Sequence, residues 1–153
     1  MSSGAAGEST VTAACPACRR RVRVPVARLG DGPRCPTCRA ALFPGAPVAL
    51  DDQSFDDFVG RTDIPVLVDF WAPWCAPCRS FGPVVAEAAA ALSPAIVVAK
   101  VDTDAAPQVA GRCAIRSIPT VALFRGGREV ARQSGAMPLA ALRQWLAAHG
   151  ITA

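Results

Sequence analysis

Three cysteine pairs, each with a two-residue spacer, punctuate the chain: "CPAC" at Cys15 and Cys18, "CPTC" at Cys35 and Cys38, and "CAPC" at Cys75 and Cys78. Thiols at this spacing can hold a metal, cycle between dithiol and disulfide, or fill a core. The first two pairs together read C-x2-C-x16-C-x2-C, the ligand spacing of a zinc ribbon. Two tight turns can offer four sulfurs tetrahedrally at about 2.3 Å from zinc, and the proline after the first cysteine of each pair stiffens the turn. Cys15, Cys18, Cys35 and Cys38 are therefore assigned to one Zn2+, structural or redox-sensitive. A second redox pair is the competing reading. It is fed by Arg19 and Arg39, which stand where many zinc knuckles place glycine.

The third pair has no such companion. Cys113 and His149 are isolated, and nothing in the sequence pairs them as further ligands. Cys75 instead follows the apolar run "IPVLVDFWA" and precedes a helical pattern. A helix start supplies unpaired N–H groups and the positive end of the dipole, which stabilise a thiolate there and make Cys75 a nucleophile. Cys78, one turn later, can attack a mixed disulfide formed on Cys75 and close the ring.

These residues need a scaffold, and 153 residues provide one medium domain plus a small appendage. Expected boundaries are a flexible N-terminus over 1–14, a zinc ribbon over 15–45 and a larger domain over 46–153. In the ribbon, "RVRVPV" alternates as a short strand does. "PGAPVAL" leads into the first strand of the larger domain. An amphipathic helix ("DDQSFDDFVG"), a buried strand ("IPVLVDFWA") and a long helix containing Pro83, where a kink is expected, follow in turn. Then come a strand ("AIVVAKVD"), a short helix ("APQVAGR") and a hairpin ("TVALFRGG", "REVARQSG"). A last helix places Leu139, Leu142, Trp145 and Leu146 on one face. The pattern is α/β with an antiparallel ending.

Charge is divided unevenly, +5 over residues 1–45 and −1 over the rest. A four-thiolate zinc centre carries about −2, so the ribbon arginines act first as counter-charge. No aromatic residue is interleaved among them, which argues against nucleic-acid binding. No apolar run approaches the roughly 20 residues of a membrane span. The first residues lack the basic start and apolar core of a secretory signal, so a cytoplasmic setting is expected. Seven cysteines in a reducing compartment point to metal binding and redox catalysis rather than structural disulfides.

"VDFWAPWCAPC", followed by "SIPT" and then "GA", resembles thioredoxin over about residues 47–150, and the two N-terminal CPxC motifs make it similar to the zinc-containing type. That resemblance implies a central mixed five-stranded sheet flanked by four helices. It implies a buried carboxylate at Asp69 whose raised pKa helps deprotonate Cys78, with Lys100 close by. It also implies a cis-proline loop at Ile118 and Pro119 whose backbone meets an extended substrate. Trp74, Pro77, Ile118 and the Gly135–Ala136 segment would form an apolar docking patch, with Trp71 as packing. The implied activity is protein-disulfide reduction on cytosolic substrates. Recharging would come from a thioredoxin reductase, with NADPH acting only through that reductase and no tightly bound organic cofactor. Two departures stand out: Ala76 replaces a usual glycine in the active-site turn, and Cys113 replaces an aromatic residue, most simply as a small filler. A zinc-ribbon interaction module that uses the larger domain for docking, or an oxidase or isomerase, are the alternatives.

Overall fold

The computed structural model of the chain describes residues 9–152. Its elements are β1 (Thr10–Ala14), β2 (Arg21–Pro25), a 3-10 helix (Val26–Asp31), β3 (Val48–Leu50), α1 (Phe55–Arg61), β4 (Val66–Trp71) and α2 (Ala76–Leu92). They continue with β5 (Val97–Asp102), α3 (Pro107–Arg112), β6 (Thr120–Arg125), β7 (Arg128–Ser134) and α4 (Leu139–Ala148). Five strands form one sheet in the order β3-β5-β4-β6-β7. β3, β5 and β4 run parallel, while β6 and β7 are antiparallel. This is the thioredoxin fold expected from the sequence.

β4 lies in the middle and is buried along nearly its whole length, as a strand covered on both faces must be. Its alternation divides the core. Val66, Val68 and Phe70 face α1 and α3, together with Phe55, Phe58 and Val109. Leu67 faces α2 and α4, together with Phe81, Val85, Leu142 and Leu146. Period two therefore puts Asp69 and Trp71 on the α2 side, under the first turn of that helix. α2 buries Cys78, Phe81, Val85, Ala88, Ala89 and Leu92, a helical stripe, and continues through Pro83. Two X-Pro bonds are cis, Ile118–Pro119 as expected and Ser93–Pro94, which the sequence did not signal.

The ribbon is a hairpin, β1 against β2, with its first cysteine pair in the turn. The expectation of a flexible 1–14 is corrected here: residues 10–14 form β1, because Val11 and Ala14 have apolar surface to pack against. Positions 1–8 lie outside the described residues. β1 is also bonded to the larger domain. Thr12 N donates to Asp63 Oδ2 at 2.8 Å, Asp63 N donates to Thr12 O at 2.7 Å, and Ala14 N donates to Thr62 Oγ1 at 3.1 Å. Ala14 joins Phe55, Phe58 and Val59 in one core cluster, with Leu29 and Phe43 packed against it. Asp63 precedes β4 and Cys75 follows it. The ribbon and the Cys75–Cys78 turn thus attach at opposite ends of a strand roughly 17 Å long.

Candidate redox and metal sites

Cys75 is the N-cap of α2, and Ala76 and Pro77 open the helix, where proline's missing N–H costs nothing. The Cys78 backbone N–H donates to Cys75 Sγ at 3.2 Å, so charge on that sulfur is met by a helix-start donor. Cys75 and Cys78 form a disulfide with Cα atoms 5.2 Å apart. Cys75 Sγ lies 3.8 Å from the carbonyl oxygen of Ile118, on the cis-proline loop.

Asp69 is 4% exposed. Burial pushes its carboxyl up to about 7, opposed by the positive charge of Lys100. Lys100 is its direct cross-strand neighbour on β5, and the ammonium rests 5.4 Å above the Trp71 ring. Asp69 Oδ1 and the Trp71 indole nitrogen are buried without a hydrogen-bond partner in the protein. Asp69, Trp71, Cys78 and Lys100 line one pocket of about 120 Å³, large enough for several waters. The carboxyl and the Cys78 sulfur therefore share a chamber through which a proton can pass.

The expected docking residues are gathered on the other side of the sulfurs. Trp74 is 68% exposed, with its indole N–H donating to Asp104 Oδ2 at 2.8 Å. Trp74, Ile115 and Ile118 line a pocket of about 190 Å³. Gly135 N donates to Pro119 O at 2.8 Å, which ties that segment to the loop. Pro77 and Ala136 are exposed. Trp71 packs against Ala72, Cys75 and Cys78. Cys113 is half-buried against the α1–α3 core, and burial pushes its thiol up. Sequence reasoning missed Asp104, whose carboxylate steadies Trp74, and Arg79, whose guanidinium donates to Pro73 O at 2.8 Å and braces the turn. Both are surface charges in sequence, and only the fold shows what they reach.

The ribbon cysteines converge: the four sulfurs lie within 4.8 Å of one another. Cys15 and Cys38 sulfurs are 3.5 Å apart, and those of Cys18 and Cys35 are 3.7 Å apart. A tetrahedron with arms of about 2.3 Å has edges near 3.8 Å, so the donor set fits a zinc ion. The two turns are built alike. Arg19 N donates to Cys15 O and Cys15 N to Arg20 O; Arg39 N donates to Cys35 O and Cys35 N to Ala40 O. Arg19 and Arg39 adopt φ of 65° and 70°, the glycine conformation that their position demands. Within the cluster the Cys38 backbone N–H, foremost, pulls the Cys35 thiol down to about 6. Cys38 itself is pushed up to about 11: the Ala40 N–H, its largest influence, lowers it, but the neighbouring Cys15 sulfur and burial outweigh that. Four thiolates at this distance repel unless a cation lies between them.

A family model described as Thioredoxin matches residues 46–148. Thioredoxin C-3 of Corynebacterium nephridii is 42% identical over 132 residues, 86% of this chain and 90% of that protein. Thioredoxin 1 of Nostoc sp. is 49% identical over 104 residues, 68% of this chain and 97% of its own. The chloroplastic M-type thioredoxin of Chlamydomonas reinhardtii is 41% identical over 128 residues, 82% of this chain and 91% of its own.

Proposed function

We propose that this chain, which belongs to the thioredoxin family and is a protein-disulfide reductase, reduces disulfides of cytosolic proteins by cycling Cys75 and Cys78. The observation that carries the assignment of roles is the Cys78 N–H on Cys75 Sγ at a helix start, facing the Ile118 carbonyl. In the reduced protein the Cys75 thiolate attacks one sulfur of a substrate disulfide. The substrate S–S bond breaks, its other sulfur leaves as a thiolate, and a mixed disulfide forms on Cys75. Asp69, through water in the shared pocket, takes the Cys78 proton. The Cys78 thiolate then attacks Cys75 Sγ, releasing the second substrate thiolate. Two electrons have passed to the substrate, and the Cys75–Cys78 disulfide is closed. A thioredoxin reductase drawing on NADPH restores the dithiol. Lys100 tempers the carboxyl's raised pKa, while Trp74, Pro77, Ile118, Pro119, Gly135 and Ala136 meet the substrate chain.

The same reading places one zinc on Cys15, Cys18, Cys35 and Cys38, where it supplies folding free energy to a unit too small to hold itself. It treats the segment from β1 through residue 45 as a ribbon and 46–153 as the catalytic domain, and the setting as cytoplasmic. No helix among the described residues is long and apolar enough to cross a membrane.

The test is trapping. Cys78→Ser should accumulate stable mixed disulfides between Cys75 and substrate proteins, and insulin reduction should drop to background. If Cys75→Ser traps partners and Cys78→Ser does not, nucleophile and resolver are reversed.

A further inference from the structure

The loop from Cys113 to Ile118 leads from α3 into the cis-proline, and Ile115, Arg116, Ser117 and Ile118 line the pocket beside Trp74. Its course is irregular. Ala114 has φ of 53°, a left-handed conformation that a Cβ disfavours. An outside group secures it there. Arg132 on β7 donates from Nη2 to the carbonyl of Cys113 and from Nη1 to the carbonyl of Ala114, the latter at 3.3 Å. Glu129 holds the same guanidinium from its other side, at 2.6 Å from Nε and 2.7 Å from Nη2.

Residues three apart on a regular strand point to opposite faces, so Glu129 and Arg132 should not meet. A bulge brings them together. Leu123 pairs with Ala131 and Phe124 with Glu129, which leaves Val130 as the extra residue, half exposed. Arg132 lies opposite Ala122, and Glu129 lies opposite Phe124. Ala122 and Phe124 share the sheet face that packs against α1 and α3. Ser134, on the same face, approaches Thr120 Oγ1 at 3.1 Å, and that hydroxyl donates to Ser117 O at 2.7 Å. β7 is otherwise an exposed edge strand. β7 and the glycine that follows it nonetheless grip this loop at its start, near its end, and at Pro119 through the Gly135 N–H.

We infer that Glu129 and Arg132 are a positioning pair for the substrate-facing loop. Glu129 aims the guanidinium, whose planar fork fixes two successive carbonyls. The fixed carbonyls hold Ala114 in its left-handed turn, and that turn sets where the Ile118 carbonyl and the Ile115 and Ile118 side chains meet an incoming peptide. An exposed ion pair alone contributes little. This one acts through the two carbonyls it organises. The inference rests on the reductase reading above. Because neither side chain touches the sulfurs, it concerns docking of a polypeptide and leaves thiol chemistry alone.

The experiment compares Arg132→Ala, Arg132→Lys and Glu129→Gln with the parent chain at full length, with dithiothreitol as electron donor for insulin turnover and with pre-reduced protein, freed of dithiothreitol, for a single-turnover reaction with cystamine. Each is assayed on insulin, whose backbone must dock, and on cystamine, a disulfide with no peptide to dock. Arg132→Ala should raise the KM for insulin about 5-fold with kcat changed by less than about 2-fold, and the cystamine rate should not move. Amide hydrogen exchange over residues 114–118 should accelerate in the same variant. Glu129→Gln should fall between parent and Arg132→Ala, and Arg132→Lys, a point charge without the planar fork, should recover only part of the loss. An unchanged insulin KM, an equal loss on both substrates, or unaltered exchange over the loop overturns the positioning role. If the parent chain fails to reduce insulin, the reductase reading falls, and hydrogen exchange still decides whether the pair holds the loop.

Discussion

In the first ribbon turn and in the active-site turn alike, the backbone N–H of the second cysteine donates to the sulfur of the first, at 3.5 Å for Cys18 and 3.2 Å for Cys78. The residue after each pair also bonds back to the first cysteine's carbonyl, Arg19 at 2.8 Å and Arg79 at 3.1 Å. The two turns then diverge. Arg19 goes left-handed and the chain folds back into β2, whereas Arg79 stays helical and α2 runs on to Leu92. Reversal leaves both ribbon sulfurs facing a second, matching turn. Helical continuation buries Cys78 against Ala72 and Cys75 and leaves the pair with only each other. A two-residue spacer therefore sets the ring, and the backbone beyond it selects metal or disulfide chemistry.

The two turns differ most at their sulfurs. On the zinc reading, Cys15→Ser/Cys18→Ser should take zinc from one ion per chain to none, because structural zinc supplies about 10–16 kcal/mol to units of this kind. Insulin reduction should persist, since the catalytic turn lies at the far end of β4. The larger domain should lose roughly 2–4 kcal/mol of stability as the Thr12–Asp63 and Ala14–Thr62 bonds loosen, read from the denaturant midpoint. Zinc retained without the first knuckle, or insulin reduction abolished with it, would dissolve the division of labour.

A second effect separates the two regions by pH. Asp69 holds its proton to about 7 when folded but releases it near 3.8 when unfolded. The folded state therefore binds more protons between those values, and stability falls as pH rises from about 4 to about 7, then levels off. Asp69→Asn should remove that slope and stabilise the protein above pH 7 by roughly 3–4 kcal/mol, while slowing resolution of the mixed disulfide. Urea titrations across this range test it. A slope that survives the substitution assigns the titration elsewhere.

The smallest effect sharpens the ribbon side. Arg39→Gly places the residue that a left-handed φ favours, and should raise ribbon stability by up to about 1 kcal/mol with zinc content unchanged. A loss instead would show that the arginine side chain contributes more than its backbone strain costs.

Much of this was legible beforehand because the signals are local. The alternation of "RVRVPV" appears as β2 with Val22 and Val24 buried and Arg21 and Arg23 exposed. The stripe of the last helix appears as buried Leu142 and Leu146 with Leu139 and Trp145 beside them. The expected strands, helices and hairpin follow in the expected order. β1 escaped because "TVTAA" is a short, mildly apolar run whose strand state depends on pairing with β2 and bonding to Asp63. Arg19 and Arg39 read as departures from a zinc knuckle, yet the backbone takes the glycine conformation around them. Closing that turn outweighs the penalty of a Cβ.

Spacing and residue type determined which cysteines act together, that Cys75 starts a helix, and that a carboxylate lies in a buried strand. These follow from covalent distance along the chain and from the periods of helix and strand. Tertiary structure decided the rest: that Asp104 steadies Trp74, and that a bulge at Val130 turns Glu129 toward Arg132. Strand order and register create those pairs. They join residues tens of positions apart or invert a local period, and no pattern within one segment encodes which distant segment will lie beside it.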